Sequence, residues 1–123
     1  MEFVCYSKCT TCQKAKKWLD EKGIEYRLRD IKLQNPTREE LAAWHKKSGF
    51  ELRKFFNTSG LLYKSLELKT KLPTMTEEEM LDLLATDGML VKRPILVSED
   101  LVLVGFKETE WLSKVKKYLL PSR

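Results

Sequence analysis

Apolar positions follow two rhythms along this chain: short runs near both ends, and helical spacing between them. Residues 2–6 hold the run Phe3-Val4-Cys5-Tyr6, which predicts a first strand. From 10 to 22, Cys12, Ala15 and Leu19 fall on one face with Trp18 beside them, and Gly23 follows as a stop. That pattern predicts a helix. Residues 24–29 alternate, with Ile24, Tyr26 and Leu28 on one side and Glu25, Arg27 and Arg29 on the other. The alternation predicts a strand with at least one wet face or edge. A strand, a helix and a second strand make a βαβ unit, so the two strands are expected to be parallel.

The middle of the chain reads as helical. Asn35-Pro36 is a turn signal, and Thr37-Arg38-Glu39-Glu40 has the form of a capping box. Leu41, Trp44 and His45 follow at helical spacing, and Gly49 closes the segment. Phe55 to Gly60 reads as an apolar turn ending in a loop, and residues 61–68 as a short helix. A second capping box, Thr76 to Glu79, starts a helix through Met80, Leu83 and Leu84, expected to end at Asp87-Gly88.

Strand pattern returns in Pro94-Ile95-Leu96-Val97 and Leu101-Val102-Leu103-Val104. The three residues between them predict an antiparallel hairpin. Residues 107–119 then form an amphipathic helix, with Trp111, Leu112, Val115, Tyr118 and Leu119 expected inward. The order is β-α-β, helical insert, β-β-α. It predicts an α/β chain: a mixed four-stranded, thioredoxin-like sheet with helices on its faces. The reading is one domain over residues 1–123, with the insert over roughly 36–88.

Composition narrows the class. Apolar residues make up 42% and charged residues 33%, an ordinary globular balance. No stretch approaches the eighteen or so apolar residues of a membrane span, and the N-terminus lacks the form of a signal peptide. Both point to the cytoplasm and to no membrane partner. The net charge is +5, but lysines and glutamates are interspersed rather than gathered in a stripe, so no direct nucleic-acid contact is expected. The chain is expected to be a monomer.

The three cysteines lie within eight residues: Cys5, Cys9 and Cys12. A secreted scaffold spreads an even number along its chain, whereas this clustering fits a local reactive site in a reducing compartment. Cys9-Thr-Thr-Cys12 stands at the turn from first strand to first helix. Unsatisfied N–H groups and the positive end of the dipole at a helix start stabilise a thiolate, and Lys8 and Lys14 add positive potential. Cys9 is therefore the candidate nucleophile. Cys12, three residues on, shares its helical face and can reach back as the resolving thiol. It also fits a buried helix residue that never pairs, with Cys9 resolved by an external thiol. Cys5 fits a buried strand cysteine better than a third working thiol.

Zinc is disfavoured, because structural zinc takes two paired ligand sets and the one histidine, His45, lies in the insert. His45 itself reads as a surface helix residue rather than a base. Arg93-Pro94 is the second constellation. Pro94 opens a strand, where its missing donor is tolerated. Arg93 there suits either an anion near the thiol or plain solvent exposure.

Taken together, Tyr6-Ser7-Lys8-Cys9-Thr10-Thr11-Cys12, Asn35-Pro36-Thr37 and Lys92-Arg93-Pro94-Ile95 resemble the glutaredoxin-coupled arsenate reductases, the ArsC family, and its Spx/MgsR-like branch. The resemblance covers nearly the whole chain in order and spacing. It implies a thioredoxin-like fold with a helical insert, Cys9 as nucleophile, Arg93 as an oxyanion ligand beside the thiol, and a cis peptide before Pro94. In the Spx-like branch the second cysteine forms a redox-switch disulfide with the first, which implies a Cys9–Cys12 pair.

The same resemblance places two further arginines around the oxyanion in arsenate reductases. Asn57 and Phe106 fall near those positions. The phosphatase-like arsenate reductases need C-x5-R, and Ala15 stands at that place, which excludes that class. The expectation is a cytoplasmic thiol-disulfide oxidoreductase with Cys9, Cys12 and Arg93 at its centre and Pro94 shaping the groove. Glutathione, glutaredoxin or thioredoxin would supply electrons; no bound cofactor or metal is expected, and arsenate turnover should be weak or absent. The rival is a redox-sensing regulator that binds the C-terminal domain of the RNA polymerase α subunit.

Overall fold

Four short strands pair in the order β2-β1-β3-β4, where β1 is Glu2–Cys5, β2 Arg27–Asp30, β3 Ile95–Val97 and β4 Val102–Val104. A computed structural model describes residues 1–119. β1 runs antiparallel to β3, with Phe3 opposite Leu96, and β3 antiparallel to β4, with Leu96 opposite Leu103. The predicted hairpin is therefore present. The sheet is mixed, and with its helices it forms the expected α/β, thioredoxin-like arrangement. The chain divides into two compact units: Met1–Arg29 together with the described residues from Arg93 on, and Asp30–Lys92.

In the first unit, side chains alternate along β1. Phe3 and Cys5 face the same way and meet the two long helices, α1 (Thr10–Glu21) and α6 (Glu108–Leu119). Cys12, Ala15, Trp18 and Leu19 from α1 and Trp111 and Val115 from α6 complete that core with Leu96 and Leu103. Trp111 lies at its centre. Its ring meets Phe106 edge-on at 4.9 Å, and its indole N–H donates to the buried Gly105 carbonyl at 2.9 Å.

The second strand begins later than its alternation predicts. Gly23, at φ 69°, ends α1 in a Schellman turn: its N–H donates to the Asp20 carbonyl and that of Ile24 to the Leu19 carbonyl. Ile24 is spent covering the helix end, and the Tyr26 hydroxyl donates to Asp20 Oδ1 at 2.7 Å. Pairing starts only at Arg27. Leu28 is then half-exposed while Arg29 is buried, the reverse of the apolar face the sequence suggests. Glu2 on β1 explains the reversal, because its carboxylate faces both Arg27, at 2.9 Å, and Arg29, at 3.5 Å.

On α6, Trp111 and Val115 are inward as expected, but Leu112 and Tyr118 are about two-fifths exposed. One turn separates 111 from 115, whereas 112 stands about 100° round the helix. Tyr118 instead donates its hydroxyl to Asp100 Oδ1 at 2.7 Å, and Lys117 pairs with the same carboxylate.

In the second unit both predicted capping boxes form. Thr37 caps α2 (Arg38–Ser48) with Glu40, and Thr76 caps α5 (Glu77–Leu84) with Glu79. Replacing either threonine with alanine should cost about 1 kcal/mol, read from the urea midpoint. A change within error for both would show that packing alone holds these helix ends. The helix expected over 61–68 is broken: α3 (Leu61–Ser65) ends before Glu67, which adopts φ 55° and starts α4 (Leu68–Lys71). The end expected for α5 at Asp87-Gly88 comes earlier, at Leu84, because Asp87 caps the next short turn through the Met89 N–H.

Candidate functional site

The site grows out of the turn between β1 and α1. Cys9 is the N-cap of α1, in extended backbone at φ −90° and ψ 121°. Its N–H closes the turn on the Tyr6 carbonyl at 3.0 Å, and its carbonyl accepts the Gln13 N–H at 3.0 Å. The Gln13 side chain reaches back to the Ser7 carbonyl at 2.9 Å and pins the loop from the other side. No acidic residue occupies the first turn of α1 to oppose its dipole. Cys9 is partly exposed, whereas Cys5 and Cys12 are buried.

Cys12 is buried one turn into the helix, at 2% exposure, and Cys5 is buried at the end of β1. All three carry free thiols. The Cys12 sulfur accepts the Tyr6 N–H at 3.3 Å and is in hydrogen-bonding contact with the thiols of both Cys5 and Cys9. The contact with Cys5, and then burial, hold the Cys12 thiol far above the ordinary thiol range; the Tyr6 N–H and Cys9 pull the other way. Cys12 is thus neutral in the resting protein.

The sign of the consequence follows from linkage. The unfolded thiol ionises near about 8.5 and the folded one only at much higher pH. Its contribution is complete below the unfolded value and is lost as pH rises beyond it. Stability should therefore fall between about pH 8 and pH 10 more steeply in the parent protein than in Cys12→Ala. Urea midpoints at both pH values measure it, and equal slopes would contradict the assignment.

Arg93 and Pro94, the second pair of candidate residues, lie in the same unit. The Arg93 guanidinium stacks over the Tyr6 ring at 5.2 Å. Tyr6 is the residue whose carbonyl and N–H hold Cys9 and Cys12, so the arginine borders the thiol loop. The Arg93–Pro94 peptide is cis, as the resemblance implies. Pro94 is buried, and its carbonyl accepts the Gly105 N–H at 2.8 Å. The structure therefore brings Cys5, Cys9, Cys12, Arg93 and Pro94 into one compact unit.

Tyr6 is the residue that the sequence did not single out for a role. An aromatic just ahead of a C-x-x-C turn was the available signal, but its arginine partner is remote in the chain. Phe106, where an oxyanion ligand would be wanted, packs edge-on against Trp111 and Trp18. Asn57 lies in the second unit, its N–H spent on the Leu90 carbonyl at 2.8 Å. His45 also lies there, half-buried against Phe55 and 3.9 Å from Glu77. Among the described residues no group of three or more His, Cys, Asp and Glu side chains is arranged to hold a metal ion. No described helix is long and apolar enough to cross a membrane.

A fold of this kind is that of the ArsC class, and residues 5–113 match the model of the ArsC family. The chain belongs to that family. It is 53% identical over 111 residues to the uncharacterised protein YusI of Bacillus subtilis, covering 90% of this chain and 94% of that one. It is 33% identical over 117 residues to the regulatory protein MgsR of the same organism, covering 95% and 91%. A crystal structure from Bacteroides fragilis, described as ArsC family related, superposes with a TM-score of 0.89 at 58% identity, covering 96% of this chain and 95% of that one.

Proposed function

We propose that this chain is a cytoplasmic thiol-disulfide oxidoreductase in which Cys9 attacks and Cys12 resolves. The observation that carries the reading is the half-open Cys9 at the N-cap of α1 with the Cys12 thiol in contact behind it. The Cys9 thiolate attacks one sulfur of a disulfide substrate and expels the other as a thiol. Cys12 then attacks the Cys9 sulfur of the mixed disulfide, gives up its proton and releases the second thiol. The Tyr6 N–H stabilises charge that develops on Cys12 during that step. Arg93 steadies an anion at the mouth of the loop, and Pro94 shapes the groove. Glutathione, glutaredoxin or thioredoxin returns the electrons.

Arsenate is a poor substrate on this reading. Each charge-assisted hydrogen bond missing at Asn57 and Phe106 costs about 1.5–3 kcal/mol of oxyanion binding. With limiting iodoacetamide near neutral pH, Cys9 should be alkylated first. Mild peroxide should join Cys9 to Cys12, and a coupled assay with glutathione and glutaredoxin should show little arsenate turnover. Faster labelling of Cys5 or Cys12 would reverse the assignment, and turnover at about 1 s⁻¹ or more would restore arsenate as substrate.

A second reading follows from the 33% identity to a regulatory protein. There the same dithiol would sense oxidation and alter binding to the C-terminal domain of the RNA polymerase α subunit. A pull-down of that domain with oxidised and reduced protein separates the two. Redox-dependent capture favours the regulator, and no capture in either state favours the enzyme.

A further inference from the structure

The proposed dithiol cycle leaves one packed thiol unused. Cys5 and Cys12 lie in the same buried core cluster, and Cys9 packs against its edge. The Cys12 sulfur is tied to the backbone at Tyr6, the residue after Cys5, and both Cys5 and Cys9 are its hydrogen-bonding neighbours. Thiol-disulfide exchange needs three sulfurs within reach of one another: an attacker, a central sulfur and a leaving one. We infer that Cys5 is a third working thiol that takes over the disulfide first formed between Cys9 and Cys12, a step that rests on the dithiol reading above.

The exchange balances within the chain. The Cys5 sulfur bonds to the Cys12 sulfur, the Cys9–Cys12 bond breaks, and the proton lost by Cys5 ends on Cys9. No further oxidant is needed once a disulfide substrate such as oxidised glutathione has made the first bond. Attack on Cys12 rather than on Cys9 is favoured by position, because Cys12 shares the buried core cluster with Cys5 whereas Cys9 packs at its edge. The product is a Cys5–Cys12 disulfide between two buried residues, shielded from thiols in solution. Cys9 returns to the surface as a thiol, so the oxidised protein still carries its nucleophile.

The test oxidises the full-length reduced protein with one equivalent of oxidised glutathione, so that none remains to cap a regenerated Cys9, for increasing times. Acid quenching, unfolding and alkylation of free thiols with iodoacetamide follow, and peptides are mapped by mass spectrometry. The relay predicts that the label shifts with time from Cys5 to Cys9, with a Cys5–Cys12 peptide replacing a Cys9–Cys12 one. Label that stays on Cys5 beside a lasting Cys9–Cys12 bridge overturns the relay and leaves the dithiol reading intact. Absence of any bridge overturns both. In Cys9→Ser the Cys5–Cys12 bridge should be lost at the same times, because oxidation enters through Cys9; its undiminished formation there would also overturn the relay. In Cys5→Ala, or Cys5→Val if alanine unfolds the chain, Cys9 should remain bridged and unlabelled.

Discussion

Cys9→Ser is expected to lower disulfide reduction by on the order of a thousandfold or more in kcat/KM, with the fold kept. A hydroxyl at the N-cap still suits the helix start, so the structural cost is small. The chemical cost is large, because a serine hydroxyl supplies almost no anion near neutral pH where a thiol supplies some. Cys12 cannot take over the first attack, since it is buried and its thiol is held neutral by Cys5 and by its surroundings. Turnover of a small disulfide, coupled to a glutathione-regenerating system, gives the measurement, and far-ultraviolet circular dichroism checks the fold. Activity within about tenfold of the parent would place the nucleophile elsewhere.

Trp111→Ala should cost about 3–5 kcal/mol, a large share of the roughly 5–15 kcal/mol that holds a typical domain. The ring is fully buried and meets Phe3, Trp18 and Phe106 edge-on, so its loss opens a cavity bounded by β1, α1 and the chain after β4. The indole N–H also holds the Gly105 carbonyl, while the Gly105 N–H holds the Pro94 carbonyl. Losing the indole therefore loosens the residue that anchors the start of β3 beside Arg93. Trp111→Phe keeps most of the apolar volume and forfeits the hydrogen bond, so its cost should be clearly smaller. Urea midpoints of both variants test this, and a cost below about 1 kcal/mol for alanine would mean that the core does not depend on this ring.

Much of this arrangement was legible in the residues. The two Thr-x-x-Glu boxes start α2 and α5 as read, because capping is a local bargain between a hydroxyl, a carboxylate and nearby N–H groups. The Cys9 turn was legible for the same reason, since a strand, a polar turn and a helical pattern follow one another without interruption. What failed was decided by partners distant in sequence. Leu28 belongs to an apolar alternation, yet Glu2 draws Arg29 inward in its place. Tyr118 looks like a core residue until Asp100 is seen to hold its hydroxyl. At the site, spacing alone suggested that Cys12 reaches Cys9. Its contact with Cys5 depends on β1 and α1 packing face to face, which no local pattern encodes.

The most direct measurement of the dithiol reading mixes the pre-reduced protein, freed of other reductants, with one equivalent of oxidised glutathione and follows the thiols released. If Cys9 attacks and Cys12 resolves, both halves of the glutathione disulfide leave as free thiols from the parent protein. Cys12→Ala should stop after the first half, with the second held on Cys9 as a mixed disulfide visible by intact mass. A parent protein that releases neither half, or that halts at the mixed disulfide as the variant does, would contradict the account.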